Sequence, residues 1–151
     1  MSQIDLRGFS YPLASVQLWE DWKLREIESS LAVLRQRERE LADEVDDKMR
    51  QLTTAASYAQ DLSHKRMSPA LHASSLRFIQ ILNSEHLEAK RKLEELKQQI
   101  TEELNRWISQ RIQLNLLDEH RQVILDEFVI EKRREIAAES DRDWLARQAI
   151  K

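Results

Sequence analysis

The sequence predicts an all-α protein, a long antiparallel two-helix coiled-coil hairpin that ends in a C-terminal single-helix overhang. Apolar residues recur in alternating steps of three and four over residues 24–62 and again over residues 79–128, which is the spacing of a coiled-coil seam. Charged residues make up 34% of the chain, a share typical of long helices rather than of a compact globule. The stripe breaks at Met67-Ser68-Pro69, where a proline inside one continuous helix costs about 3 kcal/mol.

The first helix is predicted over residues 11–66, after a poorly ordered lead-in over residues 1–10. Ser10 is a suitable cap, and Pro12 suits a first helical turn because the N–H that proline lacks has no partner there. Glu38 and Lys48 fill two positions of the seam. Its apolar positions are Leu24, Ile27, Leu31, Leu34, Leu41, Val45, Leu52, Ala55, Ala59 and Leu62.

A turn at residues 67–68 and a second helix over residues 69–148 complete the hairpin. A short connection makes the two helices antiparallel neighbours, so facing residues have numbers that add up to roughly 135. The second helix then has no partner beyond about Leu125 and projects as the overhang. Its seam consists of Ile79, Leu82, Ala89, Leu93, Leu96, Ile100, Trp107, Leu114, Leu117, Ile124 and Phe128.

Composition argues against several classes of function. The formal net charge is −3 with both signs interleaved, so nucleic acid is a poor candidate partner. The chain has no cysteine and therefore no disulfide framework. No apolar run approaches the ~20 residues of a membrane span, and no basic segment followed by an apolar one marks a secretory signal. We expect a cytoplasmic protein without direct membrane insertion.

The sequence offers no constellation that suggests catalysis. The four histidines lack zinc-site spacing, and the one glycine, Gly8, precedes the helices, which leaves no phosphate-binding loop. We therefore expect no enzyme activity, no metal and no cofactor.

The end of the hairpin that carries the turn is poor in charge. Between Gln51 and Leu82 only four residues are charged. This favours a contact surface for a partner. The alternative is that small residues simply let the helices approach closely near the turn. The candidate partner-binding residues are Tyr58, Leu71, Leu76 and Phe78.

Tryptophans mark the other end. Trp107 falls on the seam and is predicted to be core. Trp19 and Trp22 either pack on the second helix near residues 114–117 or are exposed anchors for a partner or a second copy. Trp144 lies on the overhang, where it is either a frayed residue or a binding anchor, since tryptophan is common at binding hot spots.

Both termini also carry aromatic, apolar and charged residues in a distinctive order. The opening Phe9-x-Tyr11-x-Leu13-x-x-Val16-x-Leu18 leads into the charged first helix, and the end carries Phe128, Glu131-Lys132-Arg133-Arg134-Glu135 and Asp143-Trp144-Leu145-Ala146. This arrangement resembles the FliJ/YscO family, the coiled-coil stalk proteins of flagellar and type III secretion export ATPases. Glu20-Asp21 stands where flagellar members tend to be basic, which favours the virulence or symbiosis branch.

The resemblance implies a function without catalysis. It implies a stalk whose terminal end enters the central hole of a hexameric secretion ATPase. It also implies contacts with the cytoplasmic domain of an export-gate membrane protein, and with secretion chaperones in some members, at the cytoplasmic face of a secretion apparatus. The ring-facing residues implied here are Phe9, Tyr11, Leu13, Trp19, Trp22, Phe128, Arg133, Arg134 and Trp144.

Two other functions remain open from the residues alone. One is a generic coiled-coil adaptor or secretion chaperone-escort protein unrelated to an ATPase ring. The other is a self-associating structural rod in which the seam joins different chains. The turn at Pro69 favours the hairpin over a continuous rod.

Overall fold

The protein is an all-α helical hairpin. The structure, a computed structural model, describes residues 4–66 and 68–150. Within these ranges the elements are α1, Ala14–Ser63 with 50 residues, and α2, Pro69–Ala149 with 81 residues, and no strand occurs. No helix in the described ranges has a stretch long and apolar enough to cross a membrane.

The start of α2 follows the predicted capping chemistry. The backbone N–H of Leu71 donates to Oγ of Ser68 over 3.2 Å, and Pro69 is the first helical residue, so a serine cap and a proline in the first turn act together. Met67, the first residue of the predicted turn, lies outside the described residues.

The ends of α1 differ from the prediction. The helix begins at Ala14 rather than at Tyr11, and it ends at Ser63 rather than at Arg66. Pro12 lies in a turn before the helix, and the N–H of Ala14 donates to the carbonyl of Tyr11 over 3.1 Å. The Tyr11 side chain packs onto α2. The residues just before Ala14 therefore make a tertiary contact and do not form the first turn of α1.

The chain forms two compact units. The first, which we call the seam unit, is Glu26–Trp107. Its core is aliphatic and consists of Ile27, Leu31, Leu96 and Ile100, with Leu34, Leu41, Leu104 and Trp107 packed against it. The predicted register is confirmed here, because Nε1 of Trp107 donates to Glu28 over 3.1 Å and Nζ of Lys48 lies 2.9 Å from Glu85.

The seam unit also contains polar seam positions. Glu38, Lys48 and His86 are half-buried on the side where the helices meet. Lys48 has an ion pair with Glu85, whereas Nδ1 of His86 is buried without a hydrogen-bond partner. A buried nitrogen left without a partner lowers the stability of the folded state.

The second unit, which we call the terminal unit, is Met1–Arg25 with Ile108–Lys151. Tyr11, Leu24 and Leu114 are its buried hydrophobic residues, and Gln110 is a buried polar one. In its tail, described residues after Lys132 are exposed apart from half-buried Ala138. The overhang predicted from about Leu125 therefore begins a few residues later, because the N-terminal segment reaches Phe128.

Candidate functional site

The predicted partner-binding residues that are exposed form two sets, each within one unit. The terminal surface comprises the exposed residues Leu13, Trp19, Trp22, Arg133, Arg134 and Trp144 of the terminal unit. The turn surface comprises Tyr58, Leu71, Leu76 and Phe78 of the seam unit. These two sets include all but three of the predicted partner-binding residues, and the remaining three are partly or fully buried.

Tyr11 is one of the three, and it anchors the N-terminal segment. Its side chain is only 6% exposed. Its hydroxyl lies 2.7 Å from Nδ1 of His120 and 3.3 Å from the carbonyl oxygen of Leu117. A buried hydroxyl that is satisfied in this way fixes a segment in place. Tyr11 therefore positions the terminal surface and does not present itself to a partner.

Phe9 and Phe128 are the other two. Their rings meet edge to face with centroids 5.4 Å apart, a favoured aromatic geometry. The guanidinium of Arg121 lies 5.8 Å from the Phe9 ring, and Nζ of Lys132 lies 5.8 Å from the Phe128 ring. Gly8, which precedes Phe9, has a φ of 92°, in the region that glycine adopts readily.

The two tryptophans at the start of α1 form an exposed stack. Trp19 and Trp22 are 55% and 52% exposed, and their centroids lie 5.1 Å apart at an interplanar angle of 18°. Nζ of Lys23 lies 5.6 Å from the Trp19 ring. Of the two placements left open by the sequence, the structure therefore shows exposure and not packing against residues 114–117.

The tail presents its aromatic and basic residues on a solvated helix. Trp144 is 60% exposed. Arg134 lies 3.8 Å from Glu131 in an exposed pair, and Arg133 has no ion pair among the described residues. Lys132 contacts Glu135, which raises the pKa of the lysine. Lys132 is therefore protonated at neutral pH, and the side chains of Arg133 and Arg134 are exposed.

The turn surface borders an open groove of about 630 Å³. Tyr58 and Phe78 line it together with Leu82 and Ala55. Leu71 and Leu76 are exposed on the same unit. Asp47 and Arg50 supply charge at the edge of the groove, so the surface is apolar with a polar border, as partner-binding surfaces often are.

A polar contact joins α1 to α2 next to the two tryptophans. Nε2 of Gln110 donates to the backbone carbonyl of Glu20 over 2.8 Å and also to its carboxylate. The hydrogen bond from Gln110, together with nearby Lys23, lowers the pKa of the Glu20 carboxyl despite its partial desolvation. Glu20 is therefore ionised at neutral pH and holds its helix against α2.

Sequence reasoning missed several residues of the terminal unit. Gln110 and His120 were not singled out as contacts, because a stripe of apolar residues does not show which polar residues make hydrogen bonds between the helices. A row of exposed apolar residues on α2, including Leu116, Val123 and Ile130, was also missed. The sequence does contain the pattern that predicts this row, because its apolar residues are seven positions apart, but the seam pattern on the same helix is stronger.

Within residues 4–66 and 68–150, no three histidine or acidic side chains gather where a metal ion could be held. Compared with known proteins, the chain matches no family model, no curated protein and no solved structure.

Proposed function

We propose that this chain is the central stalk protein of a type III secretion or flagellar export ATPase, of the FliJ/YscO kind. In this proposal the terminal surface binds inside the hexameric ATPase ring, and the chain itself hydrolyses no ATP. The observation that supports it most is the tail of α2, an exposed helix that nonetheless keeps Trp144 at 60% exposure. A single helix is marginal in water, so a partner that covers this tail accounts for both features.

The stacked tryptophans support the same site. Trp19 and Trp22 present a rigid aromatic surface at low cost in conformational entropy. The adjacent Lys23 and the tail residues Arg133 and Arg134 add positive charge near aromatic groups. A ring lumen with acidic and apolar side chains is the complementary environment for such a surface.

The turn surface supports a second contact of the proposed stalk. Tyr58, Leu71, Leu76 and Phe78 are exposed and lie among few charges, so burying them removes little hydrated charge. We assign to this surface the cytoplasmic domain of the export gate, and in some states a secretion chaperone, at the cytoplasmic face of the apparatus.

A generic coiled-coil adaptor is the second candidate. The groove beside Tyr58 and Phe78 favours it, because that groove belongs to the seam unit and needs no ATPase. In this case the turn surface alone holds the partner and the terminal surface is dispensable.

Stimulation of the export ATPase from the same organism separates the two candidates. We expect full-length protein to stimulate hydrolysis. Deletion of residues 133–151, which keeps the Phe9–Phe128 contact, should abolish stimulation, and so should Trp19→Ala combined with Trp22→Ala. Val33→Ser is the matched control, because Val33 is 61% exposed and lies outside both surfaces. Equal stimulation by all four proteins would refute the stalk assignment.

A further inference from the structure

A second apolar repeat runs along α2 beside the seam. Leu116, Val123, Ile130, Ala137 and Trp144 occupy every seventh position, and we call them the outer row. The four large residues are 59%, 53%, 49% and 60% exposed, in that order, and Ala137 is exposed as well. The outer row thus faces solvent in the isolated chain.

The outer row does not continue the intramolecular seam. Past Phe128 the next seam positions hold Glu131, Glu135, Ala138, Arg142 and Leu145, and all of them except the half-buried Ala138 are exposed. Past Phe128 the seam therefore holds mostly charged residues, whereas the outer row stays apolar at every position as far as Trp144. Residues seven apart stay on nearly the same side of a helix, with a drift of only about 20° per step, so the outer row forms one apolar line along α2.

Charged residues flank the middle of the outer row with opposite signs on the two sides of Ile130. Asp126 and Glu127 precede it, and Arg133 and Arg134 follow it. Among the described residues Asp126, Glu127 and Arg133 form no ion pair, and Arg134 has only its exposed contact with Glu131. The charged residues on both sides of Ile130 are therefore available to form ion pairs with another molecule.

We propose that the outer row binds the outer row of a second copy of this chain, antiparallel, with the two-fold axis at Ile130. Ile130 then meets Ile130 of the second copy, Val123 meets Ala137, and Leu116 meets Trp144. Each layer is apolar, and the small Ala137 lies opposite a branched residue. Such an interface is isologous and closes after two copies.

The charges select the antiparallel direction. In this register Asp126 faces Arg133 of the second copy and Glu127 faces Arg134, and both contacts occur twice by symmetry. A parallel pair in register would instead place acidic residues beside acidic ones and arginines beside arginines, which is unfavourable. Charge complementarity and the apolar layers thus point to the same arrangement.

The dimer is a state distinct from the proposed stalk. It covers Arg133, Arg134 and Trp144, which the proposed function assigns to the ATPase ring, so dimerisation and ring binding would exclude each other. The inference itself does not rest on the proposed function, because its test needs only this chain.

Charge reversal tests the pairing. One variant carries Asp126→Arg and Glu127→Arg, and the other carries Arg133→Glu and Arg134→Glu. Sedimentation equilibrium from low to high micromolar concentration should show a dimer for the wild type. Each variant alone should dimerise at least tenfold more weakly, because its flanks are then of one sign. An equimolar mixture should recover dimers of one copy of each variant, since the all-basic flanks meet the all-acidic ones.

Circular dichroism of each variant serves as the folding control. A wild-type chain that is monomeric across the whole range would overturn the proposal and leave the outer row to a different protein. Dimers that both variants retain unchanged would also overturn it, because the contact would then lie elsewhere.

Cysteine cross-linking tests the direction, and the natural chain contributes no background because it has no cysteine. Ile130→Cys should oxidise to a disulfide-linked dimer by itself. Val123→Cys and Ala137→Cys should each cross-link poorly alone but efficiently when mixed. Efficient cross-linking of each single variant with itself would indicate a parallel pair and contradict the proposal.

Discussion

The seam unit and the terminal unit use the same helices in different ways. In the seam unit, α1 and α2 close an aliphatic core around Ile27, Leu31, Leu96 and Ile100. In the terminal unit, buried contacts depend on Tyr11 and Gln110, and tryptophans remain exposed. The same two helices therefore bury aliphatic residues along the seam unit and leave large aromatic residues exposed in the terminal unit.

The largest expected effect comes from placing a charge in the seam core. Ile100→Asp buries a carboxylate without a partner, which should lower the free energy of unfolding by about 3 kcal/mol or more. Ile81→Asp makes the same chemical change at a site of the same unit that is 52% exposed, and it should be nearly silent. Thermal melts followed by circular dichroism compare them. Similar losses for both would mean that the seam assignment is wrong.

The anchor of the terminal unit should matter less. Tyr11→Phe removes the hydroxyl that contacts His120 and Leu117, which should cost about 1 kcal/mol. Tyr11→Ala also removes the buried ring and should release the N-terminal segment from α2. Amide hydrogen exchange of residues 117–128 measures this release. We expect faster exchange there and unchanged exchange in residues 27–34. Uniform acceleration along the chain would contradict the separation of the two units.

The two units should also respond differently when a histidine is replaced by leucine. His86→Leu replaces a half-buried residue whose Nδ1 has no partner with an apolar one at a seam position. We expect the free energy of unfolding to rise by about 1 kcal/mol. His120→Leu is the contrasting variant, because His120 has a hydrogen bond with Tyr11, and it should destabilise. A chemical denaturation series that ranks the two variants in the opposite order would refute this distinction.

The smallest effect should come from pH. The pKa of Glu20 is lowered from 4.5, chiefly by the Gln110 hydrogen bond. The folded state therefore gains stability from the ionised carboxylate above pH 4.5, and loses it as the pH falls through the lowered folded-state value. The stability difference between wild type and Glu20→Gln should be constant near neutral pH and should shrink in acid. A stability difference that grows in acid would show that folding raises the pKa of Glu20 and does not lower it.

The seam was predictable because its signal is local and repeated. Every apolar seam position named from the sequence, from Leu24 to Phe128, is buried or half-buried. The Ser68–Pro69 start was also predictable, since capping depends on adjacent residues. These features need only the period of the helix and the chemistry of its first turn.

The terminal unit was less predictable because its contacts join distant, aperiodic residues. No sequence pattern near Tyr11 indicates that its hydroxyl contacts His120 of α2. The exposure of Trp19 and Trp22 depends on how much of the α1 surface packs against α2. The apolar pattern of the seam does not specify that width. The outer row was hidden for another reason, since a stronger apolar period occupies the same helix.

Hydrogen exchange of the full chain, with and without the export ATPase of the same organism, tests the central claim most directly. The chain is kept dilute so that it is monomeric. Free protein should be protected in the seam unit and should exchange rapidly over residues 133–149. Added ATPase should protect residues 133–149 and the start of α1 while leaving residues 58–78 unchanged. Protection confined to residues 58–78, or no change along the chain, would contradict the account.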